Sequence, residues 1–333
     1  MTYERFPARC TRPFPVLWEA LTKLLLAGLA ANVLLCGGTS FAKEEKDKKL
    51  YEDTYMMTKD GLKLRCRFYP GEQTKETVPV MIVHRFGGQG SAFYELAQAL
   101  QEPENGGCAI IVPDLRGHGE STMWNPPGGE PIELRHEKMR RGDMRRIVNY
   151  DLEAVKKFLI EKNNLGELNI DMLCVIAVDT GTVFAMNWIV KDWSYQQLVG
   201  YRQGKDAKAF VLISPKQVYK GINVQQAITH PVVRSHLSAL FLCGDRDSAG
   251  AGVTRRMYNA LKRHHPQKWK SRDEQRRKQD LFLLRLDTSL QGEALVNQAS
   301  LKVPSQIASF IDLRLVSHKE QYPWSKRENP FGN

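Results

Sequence analysis

The stretch that decides the fold runs from Cys108 to Ser121 and reads CAIIVPDLRGHGES. Its first six residues form an apolar run, and hydrophobicity that is continuous rather than alternating is typical of a strand buried on both faces. Gly117 and Gly119 follow and allow a tight turn beyond the end of the strand. The stretch therefore predicts a central strand of a parallel sheet, with helices on both faces of that sheet.

Similar apolar runs along the chain predict the other strands, and Asp60-Gly61 is a turn signal for a hairpin between the first two. The eight predicted strands are 51–58, 62–69, 78–84, 108–113, 171–178, 207–214, 237–244 and 280–286. The predicted helices are 91–101, 143–163, 182–192, 250–263 and 303–316. An antiparallel hairpin followed by β-α alternation predicts one doubly wound α/β domain with a mostly parallel eight-stranded sheet and helices on both faces.

The composition is that of a globular protein with a buried core, since 42% of the 333 residues are hydrophobic and 26% are charged. The net charge of +11 comes mostly from two segments, Leu134–Arg146 and Lys262–Lys278. These segments are either solvated helix faces or a basic surface that attracts acidic partners through its summed field. We expect an unknown small ligand or an acidic cell-envelope component as partner. Because the sequence shows no motif that reads RNA or DNA, no nucleic acid partner is expected.

The N-terminal residues predict export. Basic residues precede an apolar run from Leu24 to Leu35, and Ser40-Phe41-Ala42 has the small-x-small form of a signal-peptidase site. We expect a signal peptide at 1–42, a charged linker at 43–50 and a secreted or periplasmic protein. An uncleaved anchor and a lipoprotein attached at Cys36 are the alternatives. Contact with a membrane is expected only through this segment, if it is not cleaved.

Four cysteines remain in the expected mature chain, each in or beside an apolar strand-like run: Cys66, Cys108, Cys174 and Cys243. A free cysteine in such a run behaves as a small buried hydrophobe, and nothing in the spacing requires a disulfide. No cluster of Cys and His has metal-ligand spacing. The sequence therefore predicts free thiols, no metal site and no cofactor.

Two loop motifs resemble the α/β-hydrolase superfamily, in particular its esterases and lipases. His84-Arg85-Phe86-Gly87-Gly88 is similar to the HGxGG segment that supplies an oxyanion-hole amide in that family, and residues 113–121 closely match its PDxRGHGxS turn. The resemblance implies a single α/β-hydrolase domain at 51–317 with a C-terminal tail at 318–333. It also implies that His84, Arg85 and Phe86 lie at the oxyanion site or the pocket.

The nucleophile position departs from the family pattern. The family has G-x-S-x-G after its fifth strand, on a sharp strand-to-helix turn called the nucleophile elbow. At this position the chain has Ala177-Val178-Asp179-Thr180-Gly181, so we expect Asp179 on such a turn. The spacing is kept, Asp179 replaces the serine and Thr180 follows it at the oxyanion site. Asp179 is either a nucleophile, as in haloalkane dehalogenases and epoxide hydrolases, or a residue that tolerates positive φ in a tight turn without any chemistry.

Of the other two positions of the family's catalytic triad, the acid is kept and the histidine is replaced. Asp247, in Gly244-Asp245-Arg246-Asp247, matches the family's triad acid, whereas Gln291 occupies the position of the catalytic histidine. Glutamine has no group that titrates near neutral pH, so it cannot act as a general base. Of the remaining histidines, His136 is the best substitute, because its loop at 123–142 could fold back over the site.

Two functions remain open at this point. The chain is either a non-catalytic binding or structural module, or a hydrolase that uses Asp179 as nucleophile or base. Whether any histidine reaches Asp179 discriminates between them. We also expect the Arg85 guanidinium to pair with the Asp179 carboxylate. The segment at 215–235 is too short for a large lid, so any pocket over the elbow should be shallow and open.

Overall fold

The computed structural model describes residues 50–327 except 197, 200 and 267. Its eight main strands are β1 (Glu52–Met57), β2 (Lys63–Tyr69), β3 (Pro79–Val83), β4 (Ala109–Pro113), β5 (Leu173–Val178), β6 (Ala207–Ile213), β7 (Ser238–Gly244) and β8 (Leu281–Leu286). They form one sheet in the order β1-β2-β4-β3-β5-β6-β7-β8. Pairing is antiparallel from β1 through β2 to β4 and parallel elsewhere, which confirms the predicted sheet.

The helices cover both faces of this sheet. In chain order they are α1 (Tyr94–Gln101), α2 (Arg141–Arg146), α3 (Leu152–Asn164), α4 (Gly181–Ser194), α5 (Gln225–Thr229), α6 (Pro231–Ser235), α7 (Ser248–Lys262), α8 (Arg272–Lys278), α9 (Gly292–Val296) and α10 (Val303–Arg314). One apolar core lies between the sheet and α3, α4 and α7, and a second lies between the sheet and α1 and α10. The short helices α5, α6, α8 and α9 were not predicted, because five to seven residues are too few to show a helical period.

A π-helical turn at Ile147–Asp151 joins α2 to α3. The sequence predicted one regular helix over 143–163, since apolar spacing does not reveal a wider turn within a helix. Asp151 ends the π turn and is completely buried, with its carboxylate bonded to Arg116. Such turns occur often at functional or structurally constrained positions.

A buried ion cluster lies at the amino edge of the sheet, opposite the loops that follow the strands. Arg327 donates to the Asp171 carboxylate at 2.6 Å and also to Asp206, and Lys156 donates to Asp192 at 2.8 Å. The C-terminal segment is also held by asparagine side chains, because Asn169 donates to the carbonyl of Tyr322 at 2.8 Å. The segment after residue 317 is therefore docked on the domain as far as Arg327.

The expected signal peptide at 1–42 and the linker up to residue 49 lie outside the described residues. Within the part of the chain that the structure describes, no helix is both long and apolar enough to cross a membrane. The four cysteines predicted to be free are all buried and unpaired. Burial raises the pKa of each thiol, to about 12 for Cys108, so these side chains are unreactive packing groups.

Candidate functional site

Asp179 stands on a sharp turn between β5 and α4, as the sequence predicted for the elbow. Its φ is +50°, a left-handed conformation that is uncommon outside glycine. Gly181 explains why the turn is so tight, because a Cβ on it would lie 2.5 Å from the carbonyl oxygen of Val83. Helix α4 therefore begins directly against the end of β3, and the Asp179 side chain is presented above the sheet.

The Asp179 carboxylate contacts a lysine and not a histidine. Its Oδ2 lies 3.7 Å from Nζ of Lys216, and its Oδ1 accepts a 2.6 Å hydrogen bond from the backbone N–H of Thr180. Lys216 follows β6, the neighbour of β5, and its own N–H donates to the carbonyl of Asp179. Since the Lys216 side chain is 48% exposed, this ion pair adds at most about 1 kcal/mol to stability.

Arg85 does not pair with Asp179, so that prediction was wrong. Its Nε donates to the Glu293 carboxylate at 3.1 Å instead. Glu293 lies in α9, directly after the loop that holds Gln291, and this loop brings the carboxylate to Arg85. Lys216, which follows the strand on the other side of β5, takes the place that the sequence assigned to Arg85.

Both backbone amides that form the oxyanion hole in this fold already have partners within the protein. In the fold these amides belong to the residue after the nucleophile and to the loop after β3. Here the N–H of Thr180 is bonded to the Asp179 carboxylate, and the N–H of Phe86 donates to the Thr180 hydroxyl at 2.8 Å. A substrate oxyanion would have to displace both acceptors before it could bind.

Gln291 and Asp247 are neighbours, as the resemblance implied, but they do not form an acid–base pair. Oδ2 of Asp247 and Oε1 of Gln291 both approach the same face of Gly250, at 2.6 Å and 3.1 Å from the point that a Cβ would take. Two acceptor oxygens cannot bond to each other. Nε2 of Gln291 donates to the carbonyl of Gly244, and Oδ1 of Asp247 caps α7 through the N–H of Ala249.

The histidines His84 and His118 join the two loop motifs. The N–H of Leu115 donates to Nε2 of His84 at 3.0 Å, and the N–H of Gly87 donates to Nε2 of His118 at 2.8 Å. The histidine of each motif thus accepts a hydrogen bond from a backbone amide of the other motif. Burial lowers the pKa of both rings to about 4, so both are neutral at pH 7 and can accept these bonds.

Arg116, the arginine of the second motif, is fully buried between two carboxylates. It donates to Asp151 in the π turn at 3.0 Å and to Asp60 in the hairpin turn at 2.9 Å. The guanidinium therefore fixes the motif loop to the first hairpin and to the α2–α3 segment. This contact is structural, since a side chain enclosed in this way is not available to a ligand.

The loop at 123–142 does fold back, but His136 stacks on His118 and no contact with Asp179 is seen among the described residues. The two imidazole rings lie 4.6 Å apart at 24°. Phe86 packs against His118 at 4.5 Å and against Tyr219 at 5.2 Å. Phe184, from α4, completes this aromatic cluster. The cluster lies beside the elbow, because Phe86 also donates its N–H to the Thr180 hydroxyl.

The sequence did not identify Lys216, Tyr219 or Glu293 as part of this site. A signal existed for Lys216, because it follows the strand run 207–214 and residues that follow adjacent parallel strands meet at one edge of the sheet. No comparable signal marks Tyr219, whose position depends on the packing of the ribbon Val218–Tyr219 with Ile222–Asn223. Within the described part of the chain, no group of three or more His, Cys, Asp or Glu side chains could hold a metal ion.

Comparisons with known proteins agree with this architecture. Residues 78–192 match the family model described as alpha/beta hydrolase fold. A search of curated proteins finds no match. Among solved structures, the chain is similar to an esterase of Pyrococcus furiosus, with 15% identity, 80% of this chain and 91% of that chain covered, and a TM-score of 0.53. It is also similar to an esterase of the archaeon Pyrobaculum calidifontis, with 13% identity, 80% and 83% covered, and a TM-score of 0.52.

A third similar structure, a fungal esterase of Rhizomucor miehei, has 12% identity and a TM-score of 0.54, with 80% of this chain and 84% of that chain covered. At such identities the likeness concerns the fold. The strand order, the elbow after β5 and the two loop motifs define the class of protein. The described chain therefore has the α/β-hydrolase fold, formed by a single domain.

Proposed function

We propose that this chain is an exported, non-catalytic relative of the esterases and lipases that acts as a binding or structural module in the cell envelope. The observation that carries the proposal is the occupation of both oxyanion amides by Asp179 and Thr180. A stabilised oxyanion is often the largest single contribution to acyl-transfer catalysis, and loss of one donor reduces the rate by about 100- to 1,000-fold.

The replaced triad supports the same proposal. A serine mechanism needs a hydroxyl and a base, and here these positions hold Asp179 and Gln291. An aspartate mechanism displaces a leaving group through a carboxylate oxygen and then needs a base to activate the water that hydrolyses the ester. Among the described residues, the side chain that contacts the Asp179 carboxylate is Lys216, and no histidine is seen to supply that base.

The test is a substrate panel on the wild-type protein and on Asp179→Asn. An aryl ester, a thioester, an aryl epoxide and a short bromoalkane cover the reactions that the elbow could support. We expect no turnover above the buffer rate for either protein. Turnover by the wild type that Asp179→Asn abolishes would establish the alternative, a hydrolase that uses Asp179 as nucleophile or base. Intact-mass measurement after incubation with the bromoalkane detects a trapped ester on Asp179 even without turnover.

Export rests on the N-terminal sequence alone. We expect the mature protein to begin near Lys43, because Ser40-Phe41-Ala42 has the form of a cleavage site. Intact-mass measurement of protein recovered from the periplasm or the medium checks this start. A mass that includes the apolar run Leu24–Leu35 would contradict cleavage and would favour an anchor.

A further inference from the structure

A cavity of about 380 Å³ opens between α2, the π turn, α4 and α5. Its volume lies within the range of small-molecule sites, about 300 to 1,000 Å³. Six polar side chains line it, two guanidinium groups and four amides: Arg141, Arg145, Asn149, Asn187, Asn223 and Gln226. We call this cavity the basic pocket. No carboxylate side chain lines it, so its field favours an anion.

The two arginines are not neutralised by the protein. Arg141 and Arg145 lie one helical turn apart on the same face of α2. Neither has a carboxylate within 4.0 Å among the residues that the structure describes, whereas their neighbour Arg146 pairs with Asp143 at 2.8 Å. Two guanidinium groups without partners, directed at one cavity, can form bidentate bonds to a carboxylate or a phosphate.

A glycine allows one of these arginines to lie against the pocket wall. Gly221 has a φ of +78°, and a Cβ on it would lie 3.3 Å from Cδ of Arg141. A side chain at this position would therefore strain the backbone and crowd the arginine. The ribbon that carries Gly221 also carries Tyr219, which packs on Phe86 in the aromatic cluster. The same loop thus contributes to the aromatic cluster and forms a wall of the basic pocket.

The amide side chains suit sugar hydroxyls. A primary amide offers both donors and an acceptor, which is the pattern that adjacent hydroxyl groups require. Asn149 and Gln226 are exposed on the rim. Asn187 is held in place by bonds from its Nδ2 to the carbonyls of Val183 and Asn223, which leaves its Oδ1 as an acceptor. The pocket therefore combines two guanidinium groups with amides that hydrogen-bond to neutral polar atoms.

The geometry points to a binding site for an acidic saccharide, a sugar that carries a carboxylate or a phosphate, in the basic pocket. This inference rests on the proposed function, since it names the ligand class of a binding module. The anionic group lies between Arg141 and Arg145, and the sugar hydroxyls face the amides of Asn149, Asn187 and Gln226. The site is separate from the elbow and involves no bond cleavage.

Isothermal titration calorimetry with four probes tests the inference: glucuronate, glucose 6-phosphate, neutral glucose and inorganic phosphate. We expect glucuronate or glucose 6-phosphate to bind at least tenfold more tightly than glucose and than phosphate. A preference between the two acidic sugars identifies the anionic group. Three results would overturn the inference. The first is equal binding of glucose and the acidic sugars, and the second is equal binding of phosphate and glucose 6-phosphate. The third is no binding of either acidic sugar at 10-fold molar excess over millimolar protein.

Three double variants locate the site. Arg141→Gln/Arg145→Gln should weaken binding of the acidic sugars at least tenfold, whereas Arg255→Gln/Arg256→Gln, which removes the same charge from the exposed face of α7, should leave it unchanged. Asn149→Ala/Gln226→Ala should weaken binding of the acidic sugars but not of phosphate. Equal losses in the α2 and α7 variants would show a nonspecific charge effect. Because these titrations detect no hydrolysis, esterase activity in the substrate panel would overturn the proposed function and leave this site standing.

Discussion

Two buried arginines, Arg116 and Arg327, are held in the same way at different places in the molecule. Each donates to two carboxylates, Arg116 to Asp60 and Asp151 and Arg327 to Asp171 and Asp206. The difference lies in the backbone that carries them. Arg116 belongs to a turn anchored by β4, whereas Arg327 belongs to the docked C-terminal segment.

A buried ion pair holds only as firmly as the chain on either side of it. The turn of Arg116 cannot leave the core without disturbing β4, so loss of the guanidinium leaves the Asp151 carboxyl buried without its cation. The segment of Arg327 can lift away and admit water to Asp171 and Asp206, which limits the penalty to the cost of undocking it.

The largest expected effect is that of Arg116→Met. Removal of one partner from a buried ion pair destabilises a protein by about 3 to 5 kcal/mol, because the other charge stays buried without compensation. Urea denaturation followed by circular dichroism measures the free energy of unfolding. A second replacement, Asp151→Asn in the Arg116→Met background, should recover part of the loss. If the single variant loses less than about 1 kcal/mol, Arg116 does not hold the loop in place.

Arg327→Met should have a smaller effect, below the lower end of that range of about 3 to 5 kcal/mol. The reason is that the C-terminal segment can undock instead of the domain unfolding. Hydrogen exchange checks this directly, since the amides near residues 322–327 should lose protection while those of β5 and β6 keep theirs. Arg256→Met, an exposed arginine on α7, is the control. A loss as large as that of Arg116→Met would show that the two clusters are equivalent.

Acid should weaken the contact between the two loop motifs. The pKa of His84 and of His118 is lowered from 6.5 to about 4 by burial, so their neutral forms stabilise the fold above pH 6.5. This contribution is lost as the pH falls from 6.5 through 4, and it is on the order of a few kcal/mol for the pair. The free energy of unfolding of wild type should therefore fall faster over this range than that of His118→Gln. Parallel curves for the two proteins would mean that His118 does not titrate in this way.

The smallest effect concerns the chemistry of the elbow. Asp179→Ser/Gln291→His restores the residue types of the triad, but the Thr180 hydroxyl still occupies the Phe86 amide. We expect aryl ester hydrolysis by this variant to stay close to the buffer rate. Adding Thr180→Ala frees that amide and should raise the rate at least tenfold, equivalent to about 1.4 kcal/mol. Asp179→Ser/Thr180→Ala without the histidine is the control. An unchanged rate in the triple variant would show that the occupied amide is not what limits catalysis.

Most of the fold could be predicted from the sequence, because the buried strands of a parallel sheet are continuous apolar runs with little ambiguity. The eight strands and the single α/β domain were confirmed. The resemblance of residues 113–121 to a known turn also placed that loop at the carboxyl edge of the sheet, where it lies next to His84.

The details of the site were harder to predict, since they depend on side-chain direction and not on position along the chain. Arg85 and Lys216 both lie near the elbow. Only Lys216 contacts Asp179, because Arg85 pairs with Glu293 instead. The sequence offered equally little indication that the two oxyanion amides have acceptors within the protein. Thr180 was assigned to this region, but the direction of its hydroxyl is not encoded in any local pattern.

The π turn at Ile147–Asp151 also sets the rotation of α2 about the helix axis relative to α3. Successive residues of an α-helix are rotated by about 100° about its axis, so deletion of one residue from this turn would rotate α2 by that angle relative to α3. Met144 would then leave the core, and Arg141 and Arg145 would face away from the cavity that they now line. Deletion of Tyr150 would thus disrupt the basic pocket while all the side chains that line it remained in the sequence.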